Sequence, residues 1–288
     1  MLSLLAASLA AGTRSEARIA HNRVEAAVAR GMADAGFTFA IEGLLDTDLT
    51  KRWPADGRTQ TIAYAGGRIV AAINDEAGKL DLNTAPIEMI AGLLRSLAID
   101  PAEARSLLDG IVARRQQFPL PKIGARSLAA DPGEPPLFDA ARRPFASVAE
   151  LRLAAPLSQL SYERLRPFVT VYTRSTRVNP LTASLPVLLA IPGIRPAEAA
   201  AFIEARGKLV AGGPAQELPT IAGVDDFIES GDLRHATVTS VATTRAGVVY
   251  AREAVIALAQ ERPLTPFTIL QWTQAATAAP DAPPAAPD

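Results

Sequence analysis

The sequence predicts an α+β protein with a long helix at the start, a mainly helical middle and antiparallel strands flanking that middle. Three observations carry the expectation. No proline occurs before Pro54, and the early apolar positions keep helical spacing. Residues 82–114 and 178–206 repeat one outline: a cap, a short helix, a tight hairpin and a second helix. β-favouring runs lie at Thr59–Asn74 before the repeats, and at Ala236–Val241, Gly247–Leu258 and Thr268–Trp272 after them.

Composition bounds the chemistry. The chain has 288 residues, 49% of them hydrophobic, enough for one large domain or two modest ones. Its 29 basic and 30 acidic side chains leave a net charge of −1. That balance tells against a globally basic nucleic-acid binder, while leaving room for a local basic patch. The absence of cysteine excludes disulfides, thiolate zinc sites and cysteine nucleophiles. No phosphate loop, dinucleotide fingerprint, zinc-protease helix or serine elbow is present. The two histidines, His21 and His235, stand at opposite ends with no partner motif and read as structural. Asp225, Asp226 and Glu229 form the densest carboxylate cluster and read as a helix start rather than an acid/base pair. No residue is assigned a catalytic or cofactor-binding role.

The elements follow in order. Met1–Ala11 is apolar except for Ser3 and Ser8, and is too short to span a bilayer, which needs roughly twenty residues. It reads either as the inner half of a longer membrane segment or as a buried helix start. From Thr13 to about Leu45 the pattern becomes amphipathic. Ala20, Val24, Ala27, Val28, Gly31, Ala35 and Phe39 fall at spacings of three and four and predict one apolar stripe. Ile62, Tyr64, a Gly66-Gly67 turn and Ile69–Ile73 predict a β-hairpin. Asn83-Thr84 is expected to cap a helix that carries Pro86 and Glu88, and Asp100-Pro101 to start the next. Six prolines between 116 and 144 predict a long surface excursion. Helical signal returns at Ser147–Leu151, and Phe168–Thr173 reads as a strand. The Ala/Pro-rich residues 275–288 are expected to form a disordered tail.

The two repeats have the outline of helix-hairpin-helix units, which bind DNA when a Gly-Ile-Gly hairpin aims backbone N–H groups at a phosphate. Here the second hairpin reads Pro192-Gly193-Ile194-Arg195, so arginine replaces the second glycine. The first reads Leu97-Ala98-Ile99-Asp100, with no glycine and an added negative charge. The sequence favours structural reuse of the motif. A helix-hairpin-helix DNA-binding protein is the alternative, and it predicts binding that weakens steeply with salt.

The run Asp75-Glu76-Ala77-Gly78-Lys79-Leu80-Asp81-Leu82-Asn83-Thr84-Ala85 resembles a motif of the K-type minor pseudopilins of bacterial type II secretion systems. Ser147–Leu151, Arg166–Tyr172 and Val187–Gly193 are similar to later motifs of that family, in the same order. The resemblance covers about Leu4 to Trp272. It implies a type IV pilin-like fold, a long N-terminal helix on an antiparallel sheet, interrupted by a large helical domain. On that reading residues 1–45 are the N-terminal helix, 46–80 the first part of the sheet domain and 81–230 the insertion. Residues 231–274 supply the C-terminal strands, ahead of the 275–288 tail.

The implied role is non-enzymatic: a subunit at the pseudopilus tip that initiates assembly and supports export across the outer membrane. The implied partners are the I-type and J-type minor pseudopilins, other pseudopilins and the inner-membrane assembly platform. The implied location is the inner membrane, with the globular part in the periplasm. Leu2, Leu4, Leu5 and Leu9 are the expected membrane and helix-assembly contacts. Family precursors also carry a basic leader, a cleavage-site glycine and a full apolar segment, of which this sequence has about half the last. That departure implies either a start placed too far downstream or a truncated copy. Family members can bind calcium in the globular part, but no EF-hand pattern occurs here and no ligand is assigned.

Overall fold

The computed structural model describes residues 2–117, 144–208, 218–219, 221, 223–259 and 265–275, with side chains 1–15 and 17 excepted. The proline-rich excursion at 116–144 and the tail at 275–288 lie almost wholly outside the described residues. The chain runs α1 (Leu2–Leu44), β1 (Asp56–Tyr64), β2 (Gly67–Asp75), β3 (Leu80–Asp81), α2 (Ile87–Ser96) and α3 (Pro101–Gln117). It continues with α4 (Leu151–Ala154), α5 (Gln159–Leu165), β4 (Val169–Thr170), α6 (Leu185–Leu189) and α7 (Pro196–Gly207). The last elements are β5 (His235–Thr243), β6 (Val249–Leu258) and β7 (Phe267–Gln274). Two compact units result: Met1–Asn74 with Ala236–Asp288, and Asp75–His235.

The first unit is a five-stranded sheet, in the order β1-β2-β5-β6-β7, covered by α1. Strands β1 and β2 pair antiparallel around a two-residue turn, Ala65-Gly66, with φ of 49° and 77°. Two positive φ values make this the hairpin turn whose twist suits flanking strands. The turn therefore sits one residue earlier than the expected Gly66-Gly67. Gly67 instead begins β2 as a close-approach glycine, because a Cβ there would fall into the Thr243 carbonyl. Strands β6 and β7 are also antiparallel, with Leu270 bulged between the pairs Val255–Gln271 and Ile256–Ile269.

Helix α1 buries a different face from the one its spacing predicts. Ala29, Met32, Ala33, Gly36, Phe37, Ala40, Ile41 and Leu44 are the buried positions among the described side chains. Ala20, Val24, Ala27, Val28 and Gly31 are exposed, and Ala35 and Phe39 only partly covered. Val28, Gly31, Ala35 and Phe39 each miss the buried face by one residue, a rotation of roughly 100° about the helix. The reason is steric. At Gly36 the helix lies so close to the sheet that a Cβ would collide with the Ser240 hydroxyl and the Ile69 side chain. Phe37 then packs edge-on against Trp272 and Phe267, at 4.9 and 6.1 Å between centroids. Polar contacts reinforce the choice. Arg252 Nε, on a side chain only 4% exposed, donates to Asp34 at 2.7 Å, and Thr244 Oγ1 donates to Glu25 at 2.8 Å.

The second unit is helical, with one short parallel pair, β3 with β4. Its core includes Leu80, Leu82, Met89, Ile90, Leu93, Leu107, Ile111, Leu151, Val187 and Leu188, all fully buried. Helices α2 and α3 form one hairpin and α6 and α7 another. The two hairpins meet at Gly92, where any Cβ would enter the Ala190 backbone. Three local expectations need correction. Pro86, not Asn83 or Thr84, occupies the N-cap of α2, and it makes no side-chain cap bond. Only Val169–Thr170 of the expected 168–173 strand pairs among the described residues, because its partner there is the two-residue β3. Asp225–Phe227 is a turn leading to a bridge between Val178 and Ile228, not a helix start.

Candidate assembly surface

The exposed face of α1 is the first candidate. A helix that buries one apolar stripe normally turns polar residues outward. Helix α1 buries its own stripe and still exposes Ile19, Val24 and Val28 at 49%, 59% and 40%. Ala20, Ala27 and Gly31 stand on the same side as Val24 and Val28, and nothing lies within 4 Å of the point where a Gly31 Cβ would be. The helix therefore has two apolar faces, one satisfied by its own sheet and one not. Leu2, Leu4, Leu5 and Leu9 lie on the same unbroken helix, and their side chains fall outside the described residues. No helix among the described residues is long and apolar enough to cross a membrane.

The second candidate is a cavity of about 220 Å³ in the helical unit. Asp75, Asn179 and His235 line it, with Arg177, Glu229, Asp232 and Arg234 among its other walls. The Asp75 carboxylate accepts from Ala77 N at 2.9 Å, Thr182 Oγ1 at 3.0 Å and Asn179 Nδ2 at 3.2 Å. Burial raises its pKa above the usual carboxylate range, against the pull of these donors. His235 stacks on Tyr172 at 6.5 Å between centroids. Burial lowers its pKa, partly offset by Glu76 and Asp75, which favours the neutral ring. Asp75 is thus occupied as a backbone and side-chain anchor.

The acidic motif around this cavity is a structural staple. Asp81, 1% exposed, accepts from Asn83 N at 2.8 Å, Arg174 N at 2.9 Å and Thr173 Oγ1 at 3.2 Å. Asn83 exchanges two hydrogen bonds with the Phe145 backbone, and Thr84 Oγ1 donates to Ser175 O. Arg115, at the end of α3, closes the motif by donating to Leu82 O and Ala85 O at 2.9 and 2.8 Å. The second repeat has a counterpart: Arg206, in the last turn of α7, donates to Pro180 O and Ala183 O at 2.6 and 2.7 Å. Sequence reasoning missed these arginine clasps. Their signal was a basic residue near the end of the second helix in both repeats.

Neither hairpin presents an open phosphate cradle. Asp100 already accepts from Ala102 N and Glu103 N at 2.9 and 3.1 Å, so its carboxylate fills the N-terminus of α3. At α7, Glu198 accepts from Arg195 N at 3.2 Å and also binds the Arg195 guanidinium. A carboxylate held at each helix start repels the phosphate that such a cradle would take. Among the described residues, no group of three or more His, Asp or Glu side chains converges to hold a metal ion.

A long helix on an antiparallel sheet, with a helical unit inserted between β2 and β5, is the type IV pilin-like architecture. Residues 70–174 match the family model for Type II secretion system (T2SS), protein K. The chain is 33% identical over 161 residues to Type II secretion system protein K of Pseudomonas aeruginosa. That match covers 50% of this chain and 46% of the relative, so the chain spans about half the length of that curated protein. Its fold is similar to a chain in the crystal structure of the GspK-GspI-GspJ complex from the enterotoxigenic Escherichia coli type 2 secretion system. There the TM-score is 0.52 at 17% identity, over 92% of this chain and 99% of that one. The likeness to type II secretion system protein K is thus carried in sequence by residues 70–174 and by the 161 residues aligned with the Pseudomonas aeruginosa protein.

Proposed function

We propose that this chain is a non-enzymatic minor pseudopilin that works by assembly at the tip of the type II secretion pseudopilus. The observation that carries the reading is the second apolar face of α1, which its own sheet leaves uncovered. Such a face suits packing against helices of neighbouring subunits, and Ala20, Ala27 and Gly31 allow a close approach. Leu2, Leu4, Leu5 and Leu9 extend the helix toward the membrane, where it resides before extraction. The globular part then lies in the periplasm and the helix start in the inner membrane.

The I-type and J-type minor pseudopilins are the partners on this reading. Support comes from the GspK-GspI-GspJ complex, which holds a chain of similar fold. Other pseudopilins and the inner-membrane platform complete the set, and nucleic acid is not among the partners. The large helical insertion favours a terminal place, since its bulk would hinder a subunit stacking above. The role requires no cofactor, and it consists in initiating assembly and supporting export across the outer membrane.

Co-expression of the full chain with the I-type and J-type subunits of its own secretion system tests the proposal. A stable ternary complex is expected, and a Val24→Asp/Val28→Asp variant should lose it while remaining folded. A chain that fails to co-purify with that pair, or a variant that still binds them fully, overturns the reading.

A further inference from the structure

We draw no further inference here: the strongest candidate, the uncharged outer strand β7 with Ile269, Leu270 and Trp272 exposed at the edge of the sheet, is an unpartnered apolar face and nothing in the structure shows what covers it.

Discussion

The two units satisfy their residues in opposite ways. The helical unit buries several charged groups, among them Asp75, Glu76, Asp81 and Arg114, and ties them to partners within itself. The sheet unit buries mostly small and aliphatic side chains, yet leaves an apolar row on α1 and another on β7 uncovered. Buried carboxylates that cap backbone N–H groups lock one local arrangement, because breaking any bond strands a donor. Apolar rows left in water invite association instead. The contrast is one of degree, since the helical unit also exposes Leu153, Leu160 and Leu185; on the proposed reading, neighbouring subunits cover the α1 row.

The comparison can be broken most severely at Asp81. Asp81→Ala strands three donors at a fully buried site and should cost about 3 kcal/mol of stability. Helical circular dichroism during urea unfolding reads this loss, and an unchanged midpoint would remove the staple from the account. The next effect belongs to the sheet unit. Gly36→Val drives a side chain into Ser240 and Ile69 and should cost about 2 kcal/mol. Both tryptophans, Trp53 and Trp272, lie in that unit, so their fluorescence follows it selectively. A fluorescence midpoint equal to that of the parent chain would mean that α1 does not pack where it is described.

Smaller still is the change expected at the exposed face. Val24→Asp/Val28→Asp should shift stability by about 0.5 kcal/mol or less, since both side chains already face water. Met32→Asp, on the buried face of the same helix at 2% exposure, should instead disrupt the helix–sheet contact. Equal losses from the two variants would erase the distinction between the faces.

The smallest effect is the pH dependence of the cavity. The lowered His235 pKa stabilises the folded state above the ordinary imidazole value of about 6.5. That contribution is lost as pH falls through 6.5 toward the folded value, because the unfolded chain then binds the proton first. Asp75 works in reverse: its raised pKa favours folding in acid, and the benefit is lost as pH rises through the folded value. A His235→Gln variant should flatten the stability profile just below pH 6.5, and a slope identical to the parent's there would exclude the histidine as its source.

Much of this was legible in the sequence. Helix spacing, hairpin turns and the paired repeats act over a few residues, and local sterics decide them. The ends of elements were less legible. Asn83 and Thr84 have the chemistry of caps, but their side chains bond to Phe145 and Ser175, distant in sequence. The apolar stripe from Ala20 to Gly31 was legible, but the structure leaves it exposed and buries a neighbouring face of α1 instead. An Ala-rich helix is apolar on more than one side, so spacing alone cannot say which side the sheet takes.

By itself the sequence determined the α+β class, the order of elements, the degraded hairpins and the lack of a catalytic signature. Only the tertiary structure decided which face of α1 is buried. That choice depends on Gly36 meeting Ile69 and Ser240, and on Asp34 meeting Arg252, contacts between residues far apart along the chain. The same physics sets Asp75 and Asp81 as anchors: a carboxylate's role follows from the donors that folding brings to it, and those donors lie about a hundred residues away.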